Sequence, residues 1–235
     1  MTDTSREKAR EAPSLVVALE TSTRPASIAV QGPAGQRAAL TLEEDRRHAS
    51  DLLGALGELV ERVGAIPSDL DLVIAGTGPG SYTGLRVGAS TALGLMRGAG
   101  AEVLGLPSFD AIAADGLAAG ERGAVLRNAF GGHLYLAVYE RSEDEVLPLV
   151  PPRCLQPAES LELIADVPVL LADGAALKAL AAAPPAALEV RQTPRAKAEH
   201  LLDLGLTRLG AGARLGTETL RPLYLRPYDA KVRRR

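Results

Sequence analysis

Apolar residues in this chain fall into short runs whose period changes along the sequence. Leu15 to Leu19 and Ala26 to Val30 are strand-like runs separated by the polar Glu20-Thr-Ser-Thr-Arg-Pro25, a pattern that predicts a β-hairpin. A third run, Ala38 to Leu42, extends the sheet. From His48 to Val63 the period becomes helical. Leu52, Leu53, Leu56, Leu59, Val60 and Val63 form one apolar stripe. Leu70 to Ala75 predicts the next strand and Thr83 to Gly98 the next helix, giving the order β-β-β-α-β-α. After a lobe boundary at Gly105 to Pro107, helices are expected at Ser108 to Leu117, Ala158 to Ile164, Ala175 to Ala183 and Ala198 to Leu209. Strands are expected at Ala124 to Asn128, Leu134 to Tyr139 and Val167 to Leu171. Asp173-Gly174 marks a turn, and Pro184-Pro185 stops the alanine-rich helix. The class is α/β.

Composition narrows the function. A chain of 235 residues with 46% hydrophobic content can bury a substantial core, which excludes disorder over most of its length. The net charge of −3 and a pI near 5.7 provide no global basic footprint for autonomous nucleic-acid binding. The terminal Lys231-Val-Arg-Arg-Arg235 reads as a solvated basic tail. Cys154 is the only cysteine, so an internal disulfide and a multi-cysteine metal site are excluded, and a packed, inert thiol in a reducing compartment is expected. Residues 1–12 are polar and lack the apolar core of a signal peptide. No segment approaches the roughly eighteen apolar residues of a membrane-spanning helix. A soluble, cytoplasmic protein is expected.

Candidate chemistry centres on Asp71 to Gly88, where an apolar strand runs into a glycine-dense turn that opens a helix. Such a turn can bring free N–H groups to an anion, or it can be a tight connection without a ligand. No lysine lies between Gly76 and Gly100, so the turn is not a Walker A loop. Gly78 to Gly84 has the spacing Gly-x-Gly-x-x-x-Gly, one residue longer than the dinucleotide fingerprint, and Glu102 precedes an apolar run where a ribose-binding acid should end one. Pro79 and Thr83 stand where a nucleophile elbow around Ser81 needs glycines. None of His48, His133 and His200 is four residues from another, so no helical histidine pair can hold a metal. Glu43-Glu44-Asp45 and Glu143-Asp144-Glu145 read as solvated loops. These absences favour a protein without catalysis of its own. Gly84, Gly88 and Ala92 recur every four residues, and Gly54 and Gly57 interrupt the preceding helix. Helix-interior glycine costs about 1 kcal/mol relative to alanine, so close approach of another backbone is expected, either from the chain's own sheet or from a partner.

The motif Gly78-Pro-Gly-Ser-Tyr-Thr-Gly-Leu-Arg-Val-Gly88 resembles the signature of the bacterial TsaB (YeaZ-like) family. Val16-Val-Ala-Leu-Glu-Thr-Ser-Thr23, His48 before a Leu-Leu pair, His133-Leu-Tyr-Leu-Ala-Val-Tyr139 and Arg221-Pro-Leu-Tyr-Leu-Arg226 agree in order. The resemblance implies a two-lobed fold of the actin-like, Hsp70-like and sugar-kinase (ASKHA) superfamily. Residues 13–105 would form one lobe, carrying the partner-binding helices, and 106–227 the other, with the last helix packing back on the first. Residues 1–12 would be a flexible extension and 228–235 a basic tail. Glu20, Thr21, Ser22 and Thr23 stand where the superfamily holds the metal–phosphate end of ATP, with glutamate in place of the usual aspartate. The longer side chain displaces its carboxylate, so no metal or cofactor is expected in the isolated chain, and ATP or ADP only at a partner interface. The implied role is a non-catalytic scaffold for threonylcarbamoylation of adenosine 37 in ANN-decoding tRNAs. Its partners would be a TsaD-type catalytic subunit, a TsaE-type ATPase and, as an alternative resting state, a second copy, with tRNA met only through the complex and no membrane contact. The expected interface is His48, Leu52, Leu56, Tyr82, Thr83, Gly84, Arg86, Gly88 and Ala92. The alternative readings are a Rossmann-like nucleotide-binding enzyme using Gly78 to Gly84, and a cryptic peptidase.

Overall fold

Every residue of the first strand, β1 (Leu15–Glu20), is buried, so the strand must be covered on both faces. It lies at the centre of a five-stranded sheet. In the structure, a computed structural model that describes residues 13–43, 49–180, 184–192 and 195–226, β2 (Ser27–Gln31) and β3 (Arg37–Thr41) add antiparallel on one side. Helix α1 (Ala49–Arg62) follows. Then β4 (Leu70–Gly76) pairs parallel with β1, helix α2 (Tyr82–Ala99) crosses over, and β5 (Glu102–Leu106) pairs parallel with β4. The resulting order is β3-β2-β1-β4-β5. Because successive side chains on a strand point to opposite faces, Leu15, Val17 and Leu19 meet α1 and α2, while Val16 and Ala18 face away from them.

The second sheet is built from β6 (Arg122–Phe130), β7 (His133–Arg141), β8 (Val146–Leu155), β9 (Val169–Ala172) and β10 (Glu189–Gln192), in the order β10-β9-β6-β7-β8. One face is covered by α4 (Pro157–Ile164) and α5 (Gly174–Ala179), the other by α3 (Ser108–Gly116) through Phe109, Ile112 and Ala113. The last helix, α6 (Ala198–Gly210), returns to the first lobe and covers Val16, Ala18, Leu72 and Ile74. Gly205 lets it lie close, since a Cβ there would press into the Ile74 side chain. Helices α3 and α6 therefore form the layer between the lobes. Asp110 on α3 accepts from Tyr139 Oη at 2.8 Å and pairs with Arg208 on α6 at 2.9 Å, and Arg208 also reaches Glu145 at 3.0 Å. Burial pushes the Asp110 carboxyl up, and Arg208 offsets this only in part. Each of these charges is paired and hydrogen-bonded, the condition under which buried ions are tolerated.

The two-lobed α/β expectation holds, with three strands added. The apolar run at the lobe boundary is β5, an edge strand of the first sheet. Pro148, Pro151 and Pro152 argue against a central strand, and β8 avoids the conflict by lying at a sheet edge. Strand β10 is short, and its residues are exposed or half-buried, which erases the alternation that marks a strand. Asp173 is a helix cap, its carboxylate accepting from the Ala176 N–H at 2.7 Å, and the helix it opens ends at Ala179. His48, the extension 1–12 and the tail 228–235 lie outside the described residues.

Candidate functional site

The turns after β1 and β4 emerge side by side because these strands are parallel neighbours. They seal each other. The Ser22 carbonyl accepts from the Ser81 N–H at 2.7 Å, and Thr21 Oγ1 donates to the Gly84 carbonyl at 2.8 Å. A Cβ on Gly80 would collide with the Ser22 carbonyl, one on Gly84 with the Thr21 carbonyl, and one on Gly88 with Thr21 Oγ1. These glycines thus serve the chain's own loop–loop contact. The start of α2 is satisfied as well, with Ser81 Oγ accepting from the Gly84 N–H at 3.2 Å.

Glu20 points into this seam. Its Oε1 accepts from the Ser22 N–H at 2.6 Å, and the side chain lies beside Gly76 and Ser108. Burial pushes its pKa above the usual carboxylate range, and hydrogen bonds from Ser22 and Ser108 lower it only partly. The superfamily's metal–phosphate position therefore does not fit that group here. The acid is buried and the Thr21 hydroxyl is committed to Gly84, while Ser22, Thr23, Gly80 and Ser81 border the interlobe cleft.

Between the lobes a cleft of about 740 Å³ remains, lined by Arg24, Arg127, Phe130, Tyr135, Tyr224 and Arg226 among others. Arg127 is buried in its wall, donates to the Leu126 carbonyl at 2.8 Å and the Leu171 carbonyl at 3.2 Å, and lies 3.8 Å from Asp173. Burial lowers its pKa to about 10, so it remains a cation at neutral pH.

The outer face of the first lobe is different. A shallow groove of about 860 Å³ runs between α1 and α2, lined by Leu53, Tyr82, Thr83, Arg86, Val87, Ser90, Gly94 and Leu95. Leu53 is 49% exposed. A Cβ added at Gly94 in the groove would meet no atom within 4 Å, and the same holds at Gly54, Gly57 and Gly98 elsewhere on the two helices. Of the expected interface residues, Tyr82, Thr83 and Arg86 line the groove. Leu52, Leu56, Gly88 and Ala92 are buried core positions, and Gly84 abuts Thr21. These placements correct the expectation for all five: the repeat of small residues on α2 fits the chain's own β1–β2 loop. His48 lies outside the described residues. Leu53 and Gly94 join the groove without having been expected there, although Leu53 is the one leucine of its helix that departs from the buried stripe by a single residue.

The remaining candidates have structural partners. His133 Nδ1 lies 2.9 Å from the Gly131 carbonyl and its Nε2 2.8 Å from Gln156, and His200 pairs with Asp115 at 3.1 Å. Cys154 is half-buried, and burial raises its pKa, against the thiolate character a nucleophile needs. Among the described residues no cluster of histidine, cysteine and carboxylate side chains is placed to hold a metal, and no helix is long and apolar enough to cross a membrane. The Rossmann alternative is not supported by the topology, because β1 is followed by an antiparallel hairpin and the glycine turn packs on that hairpin.

Two hairpin-led α/β lobes around a cleft, with a packed loop pair on one lobe, fit a two-lobed α/β fold of the actin-like kind. The family model for TsaD, tRNA N6-adenosine threonylcarbamoyltransferase, matches residues 42–202. The chain belongs to this family and, within it, is similar to the TsaB proteins. It is 34% identical to the tRNA threonylcarbamoyladenosine biosynthesis protein TsaB of Haemophilus influenzae over 42% of this chain and 41% of that protein. It is 28% identical to TsaB of Escherichia coli over 56% of this chain and 57% of that protein. The chain thus spans about half the length of the curated relatives it matches. A solved Pseudomonas aeruginosa protein, described as uncharacterized with similarity to peptidase YeaZ, shares the fold with a TM-score of 0.77 at 24% identity, covering 91% of this chain and 100% of that one.

The seam can be probed by stability. Gly88→Arg should destabilise the fold by about 3 kcal/mol or more, since it buries a charge where Thr21 already sits. Gly54→Arg, where a side chain meets no atom, should leave the fold intact and stabilise it by up to about 1 kcal/mol, since it removes an interior helix glycine. Denaturant midpoints check both, and equal midpoints would contradict the assignment. Glu20 gives a separate, pH-dependent readout. A carboxyl whose pKa is raised by folding stabilises the fold fully below its unfolded value, near 4.5, and loses that contribution as pH rises through the folded value. Glutamine has no proton to lose. Glu20→Gln should therefore gain Tm over the parent progressively as pH rises above the unfolded value, by roughly 2–4 °C per kcal/mol relieved. A pH-independent difference in Tm would show that Glu20 is not held in a raised-pKa site.

Proposed function

We propose that this chain is a non-catalytic scaffold subunit in the biosynthesis of tRNA threonylcarbamoyladenosine, and that it pairs with a TsaD-type catalytic subunit through the outer face of α1 and α2. The observation that carries the reading is the contrast between two surfaces of one lobe. The loops that should grip a phosphate are packed into each other, while the adjacent helix face is open, with a half-exposed leucine and glycines whose cost in helix stability has no intramolecular return. Helix pairing needs such a face. Small residues let two helices approach, and Leu53 supplies the apolar anchor that Tyr82 and Arg86 frame.

Support for the pathway comes from the family and from the curated relatives, which are biosynthesis proteins for this modification. On this reading the chain has no metal and no nucleotide of its own. ATP or ADP is held only where the partner completes a site, a TsaE-type ATPase joins the assembly, tRNA is met through the complex, and the location is the cytoplasm. A second copy of the chain can occupy the same face when the catalytic subunit is absent.

Reconstitution tests this. Given ATP, bicarbonate, threonine and tRNA, the purified chain should make no modified adenosine, and adding the catalytic subunit, the threonylcarbamoyl-adenylate synthase and the ATPase should restore it. Leu53→Glu should leave Tm within a few degrees of the parent and weaken pairing at least tenfold, about 1.4 kcal/mol, because the carboxylate would have to be desolvated in the interface. Product from the chain alone, or full pairing by the Leu53 variant, would overturn the reading.

A further inference from the structure

The segment Arg221 to Arg226 has no regular secondary structure, yet it contacts both lobes within four residues. On the first lobe, the Leu223 N–H donates to the Thr77 carbonyl at 2.8 Å, just past the end of β4. The Tyr224 ring stacks on Tyr82, the first residue of α2, with centroids 4.6 Å apart and planes tilted by 30°. Arg86, one turn along α2, places its guanidinium 4.7 Å from the Tyr82 ring centroid, so Tyr82 takes part in both aromatic and cation–π contacts. On the second lobe, Arg226 Nη1 donates to the carbonyls of Ala129 at 2.9 Å and Phe130 at 2.5 Å.

The receiving turn is shaped for that contact. Phe130, Gly131 and Gly132 are successive left-handed residues, with φ of 60°, 60° and 77°. A phenylalanine in that region is strained. Packing does not explain the strain, because Phe130 is 76% exposed. The Asn128 side chain holds the turn by accepting from the Phe130 N–H at 2.8 Å, and a Cβ at Gly131 would crowd the Arg226 guanidinium. What the conformation achieves is the convergence of two carbonyls on one cation.

Tyr82 is the joint of this arrangement. It borders the interlobe cleft on one side and the outer α1–α2 groove on the other. We propose that Arg221–Arg226 is a latch between the lobes whose Tyr224 also props Tyr82 at the groove rim, so that a helix docked in the groove and closure of the cleft stabilise each other. The coupling part rests on the docking reading above; the latch part does not. The docked helix and the latch would act on opposite sides of one side-chain stack, and by linkage each strengthens the other to the same degree.

Amide hydrogen exchange on the full chain tests both parts. Tyr224 is 43% exposed, so Tyr224→Ala should keep its circular dichroism spectrum and most of its Tm. In the isolated chain, Tyr224→Ala should speed exchange at 82–86 and also at 129–131 on the other lobe, whereas Tyr224→Phe, which keeps the ring, should match the parent. Acceleration confined to 221–226 would overturn the latch. With a TsaD-type subunit added, the parent should gain protection at 129–131, and Tyr224→Ala should lose that gain and bind about tenfold more weakly. Protection of α1 and α2 without any change at 129–131 would overturn the coupling and leave docking standing. Absence of protection on α1 and α2 would overturn docking itself, with the latch still decided by the partner-free measurement.

Discussion

The first lobe depends on the seating of two backbone carbonyls, those of Thr21 and Ser22, against the Cα atoms of Gly84 and Gly80. A side chain at either glycine would force the turns after β1 and β4 apart. With the glycines in place, the turns share hydrogen bonds, α2 is drawn down onto β1 so that Gly88 and Ala92 enter the core, and Glu20 is shut inside the seam. The face of α2 that remains outward is fixed by the same contact. The outward α1–α2 groove and the burial of Glu20 are thus two results of one packing arrangement.

Much of this is legible in the sequence. The hairpin, the strand before the glycine turn and the first two helices follow from residue periodicity, because each has one continuous apolar face or run. Strands β8 and β10 are not legible. At a sheet edge one side of a strand has no neighbour, so prolines are tolerated in β8 and exposed residues in β10, and the alternating signal is lost. The role of the glycines is half legible. Sequence spacing shows that something must approach Gly84 and Gly88, but only the parallel pairing of β1 and β4 shows that it is the chain's own loop. The glycines that face outward, Gly54, Gly57, Gly94 and Gly98, are the same residue type in the same two helices and differ only in which way the helix turns them.

The lobes are held together by chemistry that periodicity does not report. Asp110, Tyr139, Arg208 and Glu145 are scattered along the chain and meet only because α6 returns to the first lobe while α3 stays with the second. The latch segment joins the lobes a second time, through Tyr82 and the turn after β6. The result is a two-lobed fold tied in two places.

The most direct test of that account is a calorimetric titration of magnesium–ATP into the isolated chain. With the turns after β1 and β4 packed into each other, binding should be no tighter than roughly millimolar, about −4 kcal/mol. A micromolar dissociation constant in the absence of any partner would show that the seam opens for a phosphate, and would contradict the account.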